Sequence, residues 1–576
     1  MVKLLKYMKP YKLWAMLAPL LMILEVLSEL VIPKIMALIV DYGMANHDTA
    51  FIAVMGVLVV LCAFIGAFGG VGGAYYASKS AMYFGADIRE KMFRHIQGFS
   101  FVNLDKFHTS SLITRLTNDI TQLQQIVTMC LRGLVRSPMI MIGGLAMALS
   151  INAQLTVILF AGLFIMVCVI SALISVSFPL FRRVQLSIDK INTVMRENLA
   201  GIRVVKAFVR EDKEKEKFRE ANDELMNITI KAFRAITMMM PVMTIVLNTA
   251  MLLIVWRGGH FVASGVMSKG DLMQYLTYIT QILMSLMMAS MIIMMISRVR
   301  ACTDRINEVL DTDYDIVDDP DAQTDVIKSG RIVFSNVSFS YPMSTGDPVL
   351  ENINLTIEPG ETVGILGETG AGKSTLVNLI PRLYDVSDGS VTIDGVDVRK
   401  ISLDYLRKSI GIVLQKALLF SGTIAESLRW GNENATDAQV KAACETAGAY
   451  EFVTAFKDGF DTVLGQGGVN LSGGQKQRLS IARTLLKDPR ILIFDDSTSA
   501  VDTGTEKKIR EGLATRLNGT TKIIIAQKIS SIMGADKIAV IHGGTIAAVG
   551  THEELLKTCE LYSDIYNTQI QKEDED

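Results

Sequence analysis

The residues with the clearest chemical purpose run from Gly367 to Ser374, as Gly-Glu-Thr-Gly-Ala-Gly-Lys-Ser. A short apolar run, Thr362–Leu366, leads into them, and helical sequence follows from Thr375. Strand, glycine-rich turn and helix are the context in which such a loop cradles polyphosphate. Gly367, Gly370 and Gly372 let the backbone curl so that N–H groups from Gly370 to Lys373 turn inward, and the helix N-terminus adds a positive field. Lys373 is placed to reach β- and γ-phosphate oxygens, and the Ser374 hydroxyl to bind Mg²⁺, with Thr375 next on the same turn. A second apolar run, Ile491-Leu-Ile-Phe494, ends in Asp495. A carboxylate at the end of a buried strand suits the shell of that Mg²⁺.

Such a site needs a soluble α/β domain around it, and the chain is far longer than one domain. It has 576 residues, 50% hydrophobic and 20% charged, with a mean hydropathy of +0.34. These values exclude a disordered chain, a nucleic-acid arm and an all-soluble enzyme. Lysine and arginine (57) nearly balance aspartate and glutamate (59), a net charge of −2. No nucleic-acid partner is expected from that balance. Cys62, Cys130, Cys168, Cys302, Cys444 and Cys559 lie far apart, which argues against a disulfide framework and a zinc cluster.

The average hides a division. Six apolar stretches, near 13–41, 50–77, 126–151, 155–180, 236–262 and 272–297, are each long enough to cross a hydrocarbon core. The backbone in lipid must satisfy its own hydrogen bonds, so they are predicted as helices. Lysine and arginine gather at the N-terminus and in the 78–125 and 181–235 connections, whereas the loops 42–49 and 152–154 have none. Positive-inside bias therefore puts both termini and both long connections in the cytoplasm of a bacterial-type plasma membrane, with the inner connections continuing the spans as polar helices. The run Glu211–Lys217 reads as a solvated helix face.

Glu25 and Glu29 share one face of the first span, before Pro33. They read either as a structural polar pair or as groups facing a cavity or partner. Met284, Met287, Met288, Met291, Met294 and Met295 stripe the sixth span at helical spacing, as helix packing or as an adaptable cargo surface. Gly69 and Gly73 fit a small-xxx-small packing face. The expected domains are residues 1–310 in the membrane, an acidic linker at 311–330, and a nucleotide-binding domain at 331–576.

Between the two apolar strands lies Leu471-Ser-Gly-Gly-Gln475. Its place after the phosphate loop and before Asp495 resembles the signature of ATP-binding-cassette (ABC) proteins. With six preceding spans, nearly the whole chain resembles a half-transporter of the ABC exporter family. The resemblance implies a six-span α-helical transmembrane domain fused to a C-terminal α/β P-loop cassette that binds ATP and Mg²⁺. It implies that Tyr341 stacks on adenine, that Gln415 sits in the Q-loop near Mg²⁺, and that Ser499-Ala-Val-Asp502 is the D-loop. Family cassettes pair head to tail, so Ser472, Gly473, Gly474 and Gln475 would face ATP bound to another chain. The two coupling helices would fall near Asn103–Ser111 and Gly201–Phe208.

Two positions depart from the family pattern. Asp496 stands where the family usually has the catalytic Glu, and one methylene less withdraws the carboxylate by roughly 1–1.5 Å, a misplacement that can cost about 100-fold. Gln527 stands where the family usually has the switch His, and Gln carries no positive charge and relays no proton. Gln466 also replaces a Glu common before the signature. A weakened site beside an intact signature resembles the degenerate-site subunit of heterodimeric bacterial multidrug exporters. The expected partner is thus a second half-transporter, and the expected cargo a small amphipathic compound. The alternatives are a homodimer that hydrolyses slowly and an ATP-gated regulatory subunit or channel.

Overall fold

A computed structural model describes residues 2–342, 346–497, 503–517 and 519–573; for 2, 239, 291, 293, 294, 296–298, 503 and 570–573 it describes the backbone alone. The chain divides into two units, Met1–Ile96 with Ser110–Asp311, and Gln97–Thr109 with Thr312–Asp576.

In the first unit six helices are long and apolar enough to cross a membrane: Lys3–Met44, Thr49–Gln97, Thr109–Ile151, Ala153–Ala200, Glu211–Ala263 and Lys269–Ser290, the last continuing to Leu310. The 49 residues of Thr49–Gln97 extend about 70 Å at helical rise, more than twice a hydrocarbon core. The polar sequence between apolar runs therefore carries the same helices onward. Large apolar side chains such as Leu13, Phe64, Val71 and Phe164 point outward, which lipid tolerates and water would not.

Polar side chains lock these helices inside their apolar core. Tyr278 donates to the Leu30 carbonyl (2.7 Å) and Tyr275 to the Thr156 hydroxyl (3.0 Å), both rings fully buried. Asp41 accepts from the Ser268 hydroxyl (2.5 Å) and the Gly270 N–H (2.8 Å) at the start of the last helix. A Cβ at Gly69 would lie 2.7 Å from the Leu21 carbonyl, and one at Gly73 2.7 Å from Met22 Cε. These glycines thus let the first two helices touch backbone to backbone. The Glu211–Lys217 run lies on the helix Glu211–Thr237, with Lys217 paired to Glu197 at 2.7 Å across to the preceding helix. All six cysteines are free.

The second unit is built on a six-stranded sheet. Its strand order is Thr545–Gly550, Lys537–His542, Thr362–Gly367, Thr521–Ile525, Ile491–Asp495 and Ile410–Val413, parallel except at the first edge. The strand Ile491–Asp495, one in from the sheet's edge, is buried along its whole length, as expected for parallel strands covered on both faces. A four-stranded antiparallel sheet starts at Ile332–Phe339 and closes one side. Asp394 fastens the entry to it, accepting N–H bonds from Lys328, Ser329, Gly330 and Arg331 at 2.7–3.1 Å and the Ser329 hydroxyl. The helix Phe101–Lys106 belongs to this unit: Asp105 accepts from the Tyr384 hydroxyl at 2.9 Å, and Asn103 donates to the Asp313 carbonyl at 3.1 Å.

Candidate nucleotide site

Parallel pairing sets the geometry. Thr362–Gly367 and Ile491–Asp495 flank Thr521–Ile525 in register, so that Ile525 pairs with Ile365 on one side and Asp495 on the other. The chain leaves all three strands at the same end of the sheet, which is where open α/β sheets bind ligands. Gly370 and Gly372 have φ of 88° and 92°, a left-handed turn that side chains disfavour. At Gly372 space forbids a side chain as well, since a Cβ would stand 2.7 Å from Leu350 Cδ2. The helix Lys373–Leu379 begins immediately afterwards.

The Lys373 ammonium donates to the carbonyls of Gly367 (2.8 Å) and Glu368 (2.7 Å), so it lies within the loop. Burial pushes its pKa down, opposed by the charges of Asp496 and Asp495. The Ser374 hydroxyl donates to Asp495 Oδ1 at 2.7 Å. Asp495 is 8% exposed; burial pushes its pKa up and the nearby Asp496 adds to this, while Ser374 and Lys373 oppose it. A hydroxyl and a carboxylate oxygen this close fit two oxygen ligands of one Mg²⁺.

Asp496 follows with φ 45°, a left-handed residue 7% exposed, its N–H bonded to the Ile525 carbonyl at 3.0 Å. Its Oδ2 accepts from two amides at once, Gln415 Nε2 at 2.9 Å and Gln527 Nε2 at 2.6 Å. The residues at the Q-loop and switch positions thus converge on one carboxylate oxygen. Tyr341 joins the site through its hydroxyl, 3.0 Å from Thr375 Oγ1, and packs edge-on against Phe339 and Tyr384. Ser472 caps the helix Gly473–Leu485: its hydroxyl accepts from the Gln475 N–H, and its own N–H donates to Gln475 Oε1. No hydrogen bond or ion pair among the described residues joins Ser472–Gln475 to the phosphate loop. Asp502 lies outside the described residues.

Sequence reading missed Gln569. From the last helix, Glu560–Glu573, its amide donates to the Gln527 carbonyl (2.9 Å) and accepts from the Ile529 N–H (2.8 Å). It thereby braces the segment that carries Gln527. Nothing local marks it, because a Gln on a polar helix is ordinary and the contact spans about forty positions of chain.

A bundle of membrane-crossing helices fused to a phosphate-loop ATPase domain defines an ATP-driven membrane transporter. The chain belongs to the ABC transporter family, as an exporter half-transporter. Residues 15–286 match the ABC transporter transmembrane region and residues 350–499 the ABC transporter domain. It is 40% identical to the uncharacterized ABC transporter ATP-binding protein YfiB of Bacillus subtilis (strain 168), covering 100% of this chain and 99% of that protein. It is 35% identical to an ATP-dependent lipid A-core flippase of Desulfotalea psychrophila (strain LSv54 / DSM 12343), covering 84% of each. Its fold matches a bacterial Atm1-family ABC exporter with ATP bound, with a TM-score of 0.81 at 25% identity over 97% of this chain and 98% of that one. ABC exporters work as dimers within a membrane, and their cassettes are ATPases.

Proposed function

We propose that this chain is one half of an asymmetric exporter, holding ATP at a phosphate-loop site that cleaves it poorly and lending its signature to a partner's competent site. The observation that carries this is the double amide contact on Asp496 Oδ2. A base that activates water must direct a lone pair at it. Asp496 is one methylene short of Glu, and one of its oxygens is engaged by two donors. Gln527, which would otherwise face the phosphate, donates to the carboxylate and has no proton to relay.

The rest of the site is equipped to bind. Gly367, Gly370, Gly372, Lys373 and Thr375 would hold the phosphates, Tyr341 the adenine, and Ser374, Asp495 and Gln415 the Mg²⁺. The metal, when bound, neutralises phosphate charge. Ser472, Gly473, Gly474 and Gln475 keep a capped, solvent-facing helix N-terminus suited to a γ-phosphate on another chain. Asp502 would stand at the same junction. Both termini would be cytoplasmic in a bacterial-type plasma membrane, and the cargo amphipathic, which suits the lipid substrate named for a relative.

The test is one substitution in each chain of the co-purified pair. Asp496→Ala should leave ATP turnover within about twofold, and Glu→Gln at the partner's matching position should abolish it. The opposite outcome overturns the assignment, and rapid phosphate release by this chain alone would overturn the asymmetry.

A further inference from the structure

We propose that Glu25, Arg132 and a neighbouring methionine-lined cavity form a cargo site for a zwitterionic amphiphile: one protonated amine, one anionic phosphate or carboxylate, and an apolar tail. This deepens the cargo part of the reading above and does not depend on which site hydrolyses ATP.

Four charged side chains meet between the first and third spans. Arg136 pairs with Glu29 at 3.1 Å and lies 3.7 Å from Glu25. Glu25 Oε2 and Arg136 Nε are buried without a hydrogen-bond partner. Among the described residues no carboxylate pairs with Arg132, which is exposed. All four line one cavity of about 480 Å³. Gly70 keeps it open, since a Cβ there would lie 3.1 Å from Glu25 Oε1. A second cavity, of about 570 Å³, shares Arg132 and Arg136 as its wall; five methionines (Met22, Met82, Met129, Met288 and Met295) and Ile292 give it most of its apolar lining, with Ser78, Gln125 and Thr128 as its other polar side chains.

Charge balance selects the headgroup. Two carboxylates and two guanidinium groups already sum to zero, so a singly charged ligand would leave one uncompensated charge at membrane depth. A ligand that carries both charges leaves none. Glu25 Oε2 lacks a donor, so the cation must bring an N–H, which a primary ammonium has and a quaternary ammonium lacks. Arg132 offers its guanidinium to the anion, where a planar fork of donors matches phosphate or carboxylate. Methionine side chains adapt to many shapes, so the second cavity accepts a tail without selecting its length.

The experiment measures lipid binding to the purified exporter complex in detergent without ATP, which separates it from the hydrolysis assignment. The probes are phosphatidylethanolamine with a fluorescent tail, its mono-, di- and trimethylated forms, and phosphatidylglycerol. Phosphatidylethanolamine should bind about tenfold more tightly than the trimethylated lipid and phosphatidylglycerol, a step of one hydrogen-bonded ion contact. Glu25→Gln should erase the preference over the trimethylated lipid. Arg132→Gln should weaken the phosphate-bearing lipids and spare a tail-labelled alkylamine. Equal binding of all probes, or a preference that survives Glu25→Gln, overturns the proposal. Should the variants fail to assemble, the wild-type series decides: stepwise weakening as N–H groups are removed supports the site, and a flat series ends it.

Discussion

Asp496 and Gln527 share one hydrogen bond, and under the proposed function they act as one unit. Gln527 donates to Asp496 at 2.6 Å, so neither residue can be read alone. Restoring one family residue leaves the other mismatched, and groups that act as a unit respond non-additively. Asp496→Glu combined with Gln527→His should therefore raise phosphate release at this chain's own site by up to about 100-fold, the cost of a misplacement near 1 Å. Each single change should yield much less. Single-turnover release from the co-purified complex, with the partner's site silenced, measures this directly.

At the scale of elements, carboxylates decide how segments are held. Burial opposes the charge on Asp394, but the Ser329 hydroxyl and the N–H groups of Arg331, Gly330 and Ser329 outweigh it and bring its pKa down to about 2 from 3.8. A depressed carboxylate contributes stability that is fully present above its unfolded value and disappears as pH falls through the folded one. The melting temperature of the intact protein should thus begin to drop below about pH 4 for this reason. In Asp394→Asn the melting temperature should start lower, and its profile between pH 5 and pH 3 should be flatter. Equal slopes in the two proteins would remove Asp394 from the account. Tyr384 marks a second junction, bonded to Asp105 of the Phe101–Lys106 helix and packed against Tyr341. Its hydroxyl pKa is pushed up, first by burial and then by the Asp105 carboxylate. Tyr341 and the helix drawn from the N-terminal half therefore share one ring.

At the scale of the whole molecule, loop charge sets orientation. The 42–49 loop has no lysine or arginine, and the long connections hold many. In a chain freed of its six cysteines, Asn46→Cys should react with a membrane-impermeant maleimide on intact cells. Asp311→Cys should react only after lysis. The reverse pattern would invert the topology. No residue in the most apolar stretch of the second span is fully buried by the rest of the chain. Lipid or a second half-transporter must cover it, in keeping with a family that works as dimers.

The sequence alone determined what is local. The phosphate loop, the strand ending in Asp495, the signature and the spans each sit within one short stretch, because a turn, a strand or a lipid-crossing helix is set by adjacent residues. The likeness to ABC exporters rested on such stretches and holds for the family. Helical spacing likewise revealed the methionine stripe and the Gly69 and Gly73 face. Tertiary structure alone decided which side chains meet. Gln415 and Gln527 reach Asp496 across 81 and 31 positions, and Arg136 reaches Glu29 across 107. The sequence could not choose between a structural pair and a cavity at Glu25. That choice depends on a partner carried by another helix, and the distance between two helices is set by packing rather than by spacing along either one.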